Sequence, residues 1–238
     1  MRIFSPLTPL VLATSVIGMV HLTGGARPGA AQAVLDEGTL LIRRGQVELG
    51  RETFLIRSTP VGPVIETTAF YPPRRTKIIL RANVTHRPDS MPQAAQFRAS
   101  NGDATIVGAQ FDDQRVKLTR QSPEGVRQRE FRAPRRAFVA DDSVFALYAI
   151  PPGLSDGTIT IVEPRHETRS EHRMTNRGLQ QTTLLNRPIE LTELLVSGEL
   201  GDRHVWFDND GRLQKVEISY AGIVAERISN QRTSDIRP

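Results

Sequence analysis

The sequence predicts a mainly β fold, an antiparallel half-barrel or twisted sandwich, on the strength of three observations. Several segments alternate apolar and polar residues with period two, turn signals recur between them, and one segment alone breaks this pattern. Period-two alternation with one apolar face is typical of a half-buried antiparallel strand. Short strands separated by such regularly recurring turn signals indicate a sandwich or a barrel.

The chain begins with a segment typical of a secretory signal peptide, residues 1–33. A basic start at Arg2 is followed by an apolar stretch from Leu7 to Leu22 and by the cleavage pattern Ala31-Gln32-Ala33. A retained membrane anchor is the alternative, although a spanning helix needs ~20 mostly apolar residues. The chain has no cysteine, which excludes disulfides and a lipid-anchored lipoprotein. We therefore expect an exported protein of the bacterial periplasm or the extracellular space.

Removing 33 of the 238 residues leaves 205, enough for one sizeable core. We predict a single antiparallel β domain over residues 34–230 and a frayed polar tail over residues 231–238. A nucleic-acid partner is not expected, because such a partner requires basic residues clustered on one face. The densest clusters, Arg74-Arg75 and Arg132–Arg136, are short and lie beside prolines.

The alternating segments follow one another along most of the chain. In Thr76–Val84, for example, Leu80 and Ala82 face one way, and Arg81 and Asn83 face the other. The predicted strands are Gln46–Arg57, Thr76–Val84, Ala104–Phe111, Gln114–Arg120, Thr158–Glu163 and both halves of His204–Ile218.

The segment Asp141–Ile150 breaks the alternation. Its Asp141-Asp142-Ser143 start offers N-cap residues, and a mainly apolar run then ends at Pro151-Pro152. This order predicts one short helix, and its all-round apolar character predicts that the helix is buried. A strand is the alternative for the same residues.

Two motifs suggest chemistry that their context does not support. Ser155 lies in a literal G-x-S-x-G, but a nucleophile elbow needs a strand before the serine and a helix after it. Here a proline pair precedes the motif and a strand pattern follows it. His166 and His172 suggest zinc, yet six residues on a strand span ~20 Å. One zinc ion with ~2.1 Å bonds cannot take both histidines from regular structure, so we expect an exposed, charge-rich strand or loop.

The segment His204–Ile218 holds the single tryptophan, Trp206, and a set of acids that resembles a calcium loop. With Gly211 at the sixth loop position, however, the first ligand position would fall to Trp206, which offers no oxygen. A hairpin with a two-residue turn at Asp210-Gly211 is the stronger prediction. The predicted pairs are Arg203 with Ile218, His204 with Glu217, Val205 with Val216, Trp206 with Lys215 and Phe207 with Gln214. The apolar residues of these pairs share one face, and Trp206 falls on the more polar one.

Short motifs resemble a broad set of secreted bacterial proteins of unknown function. The motifs are Gly38-x-Leu40, the turn glycine Gly45, Gly50-x-Glu52-x-Phe54, Asp141-Asp142-Ser143 and Asp208-Asn209-Asp210-Gly211-Arg212-Leu213. The resemblance implies an antiparallel half-barrel similar to the periplasmic lipoprotein carriers, which wrap a curved sheet around a helix and bind acyl chains on the concave side. It implies no catalytic residues.

These observations favour an exported protein that binds a lipid or another apolar or amphiphilic ligand in a curved β-sheet, with peripheral membrane contact as an option. The alternative is a non-catalytic envelope scaffold that contacts another envelope protein. Trp206 is the candidate ligand-binding residue, and no catalytic residue, metal ligand or cofactor is predicted. Glu52 lies between apolar strand residues, and it is expected to be paired or edge-facing, with a buried functional carboxylate as the alternative.

Overall fold

The computed structural model describes residues 33–71, 78–100, 104–112, 114–132, 136–151 and 155–228. These residues form fifteen β-strands and three short 3-10 helices. In chain order the strands are β1 (Val34–Arg44), β2 (Val47–Thr59), β3 (Gly62–Tyr71), β4 (Ile78–His86), β5 (Pro92–Ser100), β6 (Ala104–Phe111), β7 (Arg115–Ser122), β8 (Gly125–Arg132), β9 (Ala137–Val139), β10 (Gly157–Glu163), β11 (Thr168–Leu184), β12 (Arg187–Gly198), β13 (Gly201–Phe207), β14 (Leu213–Ile218) and β15 (Ile223–Ile228). The 3-10 helices are Phe145–Ala149, Pro164–His166 and Ser219–Ala221.

All fifteen strands belong to one open sheet, in the order β8-β7-β6-β5-β4-β3-β2-β1-β15-β14-β13-β12-β11-β10-β9. The pairing is antiparallel except between the short β9 and β10, which run parallel. Strands β1 and β15 are neighbours in the middle of the sheet, so the N-terminal and C-terminal meanders meet there. The edges are β8 and β9. The prediction of a mainly antiparallel β fold is confirmed.

The predicted strands begin and end within three residues of the observed ones wherever the structure describes them. In β4, Leu80 and Ala82 are buried while Arg81 and Asn83 are exposed, as the alternation predicts. Alternation therefore identified both the strand and its core face.

The core face of the sheet, called the inner face here, is filled by residues 140–150, which we call the inner segment. Phe145 and Tyr148 pack into one apolar cluster with strands β1, β2 and β12–β15. Val144 and Leu147 pack into a second cluster with strands β4–β7. Because one segment contacts both halves of the sheet, the sheet curves around it. The chain's own side chains therefore occupy the space that an open concavity would offer.

The predicted short helix exists within the inner segment, as the 3-10 helix Phe145–Ala149. The predicted aspartate cap is wrong, because the residue at the N-cap position is Val144, which makes no side-chain hydrogen bond. Asp141 instead accepts a hydrogen bond from the backbone N–H of Ser143 at 2.9 Å, which forms an Asx turn before the helix.

Strands β11 and β12 form a hairpin that extends beyond β13. Only the last seven residues of β12 pair with β13, whereas the pairing with β11 continues to the turn at residues 185–186. A bulge beside Gly178, whose φ is +67°, bends the hairpin. Residues 178–191, the arm, reach the outer face of the sheet, where Lys215 Nζ donates to the Thr183 carbonyl at 2.9 Å.

The predicted signal peptide and the predicted frayed tail lie outside the described residues, apart from the last residue of the signal segment. In the part of the chain that the structure describes, no helix has the length and apolar character needed to cross a membrane.

Candidate functional site

Glu52 of β2 lies at the junction between the sheet and the inner segment and is wholly buried. Its carboxylate accepts hydrogen bonds from the Thr67 hydroxyl at 2.6 Å and from the backbone N–H groups of Phe145 and Ala146 at 2.7 and 3.0 Å. The first N–H groups of a helix have no acceptor inside it. Glu52 therefore caps the 3-10 helix from a distant strand; the carboxylate is paired through hydrogen bonds, and the expectation that it faces an edge is wrong.

Burial has the largest effect on the charge state of Glu52. It raises the pKa from 4.5 to about 7, against the three hydrogen bonds, which lower it, while the nearby Asp141 raises it further. Within the described residues no cation forms an ion pair with this carboxylate. Glu52 thus titrates near neutral pH, which is typical of groups at functional sites but also occurs in structural networks.

Two consecutive aspartates fasten the start of the inner segment to arginines from other elements. Asp141, fully buried, accepts hydrogen bonds from Nε and Nη2 of Arg165 at 2.6 and 2.8 Å. Asp142 accepts from Nε and Nη2 of the buried Arg203 at 3.0 and 2.8 Å and from the Tyr148 hydroxyl at 2.6 Å. A bidentate arginine–carboxylate pair fixes the relative orientation of its two side chains and also contributes interaction energy. The inner segment is therefore held in one position.

Two tyrosines complete these contacts. The Tyr71 hydroxyl donates to the Ser143 carbonyl at 2.7 Å, and the Tyr220 hydroxyl donates to Asp142. Burial opposes ionisation of Asp142, but the hydrogen bonds and charge of Arg203 dominate and lower its pKa below the usual 3.8. Asp142 therefore stays ionised and keeps its arginine at neutral pH.

An apolar pocket of about 550 Å³ opens where the inner segment leaves the sheet; we call it the mouth pocket. Ile150, Pro151, Phe207 and the exposed Leu179 form its apolar wall. Its polar rim consists of Ser90, Thr192, Asp208 and Asn209. Small-molecule pockets typically measure about 300–1,000 Å³ and combine apolar walls with a few polar groups. The mouth pocket meets both criteria.

A larger depression of about 680 Å³ lies beside strands β6–β8. Its lining includes four charged side chains, Asp112, Arg115, Lys117 and Glu130. Volume alone would favour this depression, but its charged wall is unsuited to an apolar ligand. The mouth pocket is therefore the better candidate for such a ligand.

Trp206 lies on the outer face of β13, with 6% of its surface exposed. Its cross-strand neighbours are Glu193 and Lys215, and the buried Lys215 also bonds to the arm. The indole N–H has no acceptor within the described part of the chain. Trp206 thus faces away from the mouth pocket, which the adjacent Phe207 lines. Its role in ligand binding stays a prediction.

The acids on the outer face beside the arm are paired. Glu193 interacts with Nδ1 of His204 at 2.6 Å and with Nη1 of Arg177 at 3.3 Å. Glu226 pairs with Arg43 and accepts the backbone N–H of Leu185, in the turn of the arm, at 2.9 Å. These contacts hold the arm against the sheet.

The structure places Ser155 in an exposed loop whose carbonyl accepts a hydrogen bond from Nη2 of Arg136 at 2.7 Å. Strand β10 begins two residues later, at Gly157, in place of the helix that a nucleophile elbow requires. The surroundings are those of a loop, as the sequence predicts.

His166 and His172 differ in environment. His166 is exposed at the end of a 3-10 helix, whereas His172 is buried in β11, and its Nε2 lies 2.7 Å from the Ser170 hydroxyl. The expectation of an exposed segment is therefore wrong for His172, and burial lowers the pKa of its imidazole to about 4. Among the described residues, no three metal-binding side chains lie together.

The segment between β13 and β14 is a hairpin turn. Four predicted pairs are confirmed, but Phe207 pairs with Leu213, because the turn contains five residues and not two. Asp208 organises this turn: its Oδ1 accepts the N–H groups of Asp210 and Arg212 at 3.0 and 2.8 Å. The carboxylate of Asp208, which resembled a calcium ligand in the sequence, thus accepts hydrogen bonds from backbone N–H groups.

Arg165 and Arg203, which hold the inner segment, were not identified from the sequence. Their aspartate partners lie 24 and 61 residues away, and no local pattern connects them. The alternation of β13 did place Arg203 on the apolar face, which was a signal that a buried partner was required.

No protein-family model, no curated protein and no solved structure matches this chain.

Proposed function

We propose that this chain is an exported, non-catalytic binding protein that takes the apolar tail of an amphiphilic molecule, such as a lipid, in the mouth pocket. The observation that carries the proposal is the apolar wall of this pocket, formed by Ile150, Pro151, Phe207 and Leu179. Leu179 is 53% exposed, which is costly for a leucine unless another apolar group covers it.

The mouth pocket is a better location for the tail than the whole inner face. The inner segment is anchored by Glu52 and by two bidentate arginine–aspartate pairs, to Arg165 and Arg203. Removing it would leave buried charges unpaired, which typically costs about 3–5 kcal/mol for each pair. An incoming tail therefore extends the existing core at the end of the inner segment.

The rim of the pocket suits an uncharged head group. Asp208 is the ionisable residue in the lining, and its carboxylate already accepts two backbone N–H groups and the Gln214 amide. Ser90, Thr192 and Asn209 leave hydroxyl and amide groups for hydrogen bonding.

The first test is extraction of the protein purified from the periplasm, with mass spectrometry of the bound lipids. The second is titration with the methyl ester of cis-parinaric acid, a fluorescent and uncharged acyl probe that accepts excitation energy from Trp206. Leu179→Glu should weaken binding about tenfold or more, because it places a charge in the apolar wall. Leu200→Glu, a substitution of a leucine that is 68% exposed in another turn, is the matched control and should bind like the parent.

Two results would contradict the proposal. One is the absence of co-purified lipid together with no energy transfer to the ester. The other is equal binding by Leu179→Glu and the parent protein, which would locate the ester elsewhere. The alternative function, an envelope interaction module, is favoured by a separate feature, the open edge strand β8.

A further inference from the structure

Strand β8 forms one edge of the sheet and is paired on one side only. All eight of its residues pair with β7, and the register has no shift or bulge. The strand contains no proline, seven of its residues are exposed, and the side chain of Val126 is 64% exposed. Natural sheets usually protect an edge of this length with a bulge, a proline, a covering element or charged side chains, and of these the first half of β8 has only the charge, which repels basic or identical strands but attracts an acidic one. This edge can accept a further strand.

The hydrogen-bond pattern shows which backbone groups of β8 are available. Arg115 in β7 directs its carbonyl away from β8, to the N–H of Asp112 at 3.0 Å. Its partner Arg132 is therefore in a non-hydrogen-bonded pair and directs its own backbone groups outward. The contact of Arg169 Nη1 with the Arg132 carbonyl at 2.7 Å agrees with this direction. Outward-facing groups alternate along an antiparallel strand, so those of Val126, Gln128 and Glu130 are also outward.

Among the described residues, the contacts that cover this edge lie in its C-terminal half. Arg169 contacts Arg132, and Arg129 Nη1 donates to the Glu167 carbonyl at 3.1 Å. The outward backbone groups of Val126 and Gln128 have no partner in the described residues. The first half of the edge is therefore accessible.

The hairpin of β7 and β8, residues 115–132, is strongly basic, and we call it the basic ribbon. Its two strands carry six basic residues and one acidic residue, Glu130. The basic residues are Arg115, Lys117, Arg120, Arg127, Arg129 and Arg132. Arg115 pairs with Glu130 and Arg120 with Glu167, while the other four form no ion pair within the described part of the chain. Positive charge is therefore concentrated beside the open edge.

We propose that β8 binds an acidic, extended segment of a partner protein as an added β-strand. The outward backbone groups supply the hydrogen bonds, and the basic ribbon selects for acidic side chains. The same charge disfavours a second copy of this chain, because pairing two β8 edges would bring two basic ribbons together. This surface is separate from the mouth pocket and does not depend on the lipid proposal.

The test uses a fluorescein-labelled peptide of four Thr-Glu repeats and fluorescence anisotropy at low salt. The control peptide has the same sequence, with N-methyl groups on alternate backbone nitrogens that would pair with β8. N-methylation leaves the charge of the peptide unchanged and removes the backbone hydrogen bonds that it would form with β8. We expect the control to bind at least about tenfold more weakly, which corresponds to roughly 1.4 kcal/mol of lost hydrogen bonding.

The matched protein variants are Gln128→Pro and Gln128→Ala. Proline removes an outward N–H without touching the ladder to β7, and should reproduce the tenfold loss, whereas alanine should bind like the parent. Arg127→Glu supplies an independent test of charge that preserves the backbone, and it should also weaken binding about tenfold. Urea unfolding followed by Trp206 fluorescence checks that each variant is folded.

The proposal is overturned if the two peptides bind equally, since binding would then depend on charge alone. It is also overturned if no binding of the Thr-Glu peptide occurs at low salt. Phosphatidylglycerol vesicles that bind to the parent and to Gln128→Pro equally, while the peptide does not bind, would assign the ribbon to a membrane surface and overturn it as well.

Discussion

Glu52→Gln tests the assignment of Glu52 as a buried carboxylate that titrates near neutral pH. The substitution keeps the shape of the side chain and removes its charge. Gln also changes the hydrogen bonds, and this changes the free energy of unfolding by an amount that does not depend on pH. Only the pH dependence of the difference in this free energy between the two proteins is therefore informative.

The sign follows from the raised pKa. Between pH 4.5 and about 7 the folded protein holds a proton on Glu52 that the unfolded chain has released, so stability falls as the pH rises through this range. Each pKa unit corresponds to about 1.4 kcal/mol. A rise from 4.5 to about 7 therefore corresponds to a loss of about 3 kcal/mol between pH 4.5 and pH 8.

The measurement is the free energy of unfolding in urea at half-unit steps from pH 4.5 to pH 8. The single tryptophan, Trp206, is buried and reports unfolding by its fluorescence. Burial lowers the pKa of His86 and His172 to about 4, so both histidines oppose the trend of Glu52 below pH 6.5. The two histidines contribute equally to the free energy of unfolding of the parent and of the variant, and their contributions therefore cancel in the difference between the two proteins.

The stability of the parent relative to Glu52→Gln should fall by about 3 kcal/mol from pH 4.5 to pH 8. Glu48→Gln in the same strand is the control, because Glu48 is exposed and its substitution should give a flat difference. A flat difference for Glu52→Gln as well would refute the raised pKa of this carboxylate.

Three further substitutions test other contacts, each by urea unfolding. Gly198→Ala places a Cβ atom against the buried imidazole of His172 and should cost about 1–3 kcal/mol, whereas Gly108→Ala, which meets nothing closer than 4.0 Å, should be nearly neutral. Arg165→Met leaves the charge of Asp141 buried and unpaired and should cost about 3 kcal/mol; a loss below ~1 kcal/mol would mean that the pair is solvated. Asp208→Ala should cost about 1 kcal/mol, and millimolar calcium should change neither protein, since the turn is closed by backbone contacts.

Local sequence patterns predicted the parts of the fold whose partners are close along the chain. The hairpin of β13 and β14 is an example, because alternation and one turn set four of its five pairs correctly. The error at Phe207 came from the turn, whose length depends on side-chain contacts of Asp208 that alternation does not encode. Turn chemistry is thus the weaker part of such a prediction.

The inner segment could not be placed from the sequence for a different physical reason. Its residues contact strands from both ends of the chain, and its helix is capped by Glu52, 93 residues away. The apolar run predicted burial correctly, but burial does not specify which surface covers it. Strand β8 gave no signal either, because most residues on both of its faces are polar or charged and no apolar face marks it as a strand.

The motif Gly50-x-Glu52-x-Phe54 combines three different physical requirements on the inner face of one strand. A Cβ atom at position 50 would collide with the Phe70 carbonyl, so glycine allows β3 to approach. Glu52 caps the inner segment. Phe54 packs in the core, and the Arg227 guanidinium lies 5.4 Å from its ring centroid. Period two places all three side-chain positions on one face.

The same reasoning explains why this motif occurs together with Asp141-Asp142-Ser143. A carboxylate as deeply buried as that of Glu52 requires donors, and the inner segment supplies two backbone N–H groups to it. Those N–H groups are in position only if the preceding turn is fixed, which the pairs of Asp141 with Arg165 and Asp142 with Arg203 accomplish. Each motif would be unfavourable without the other.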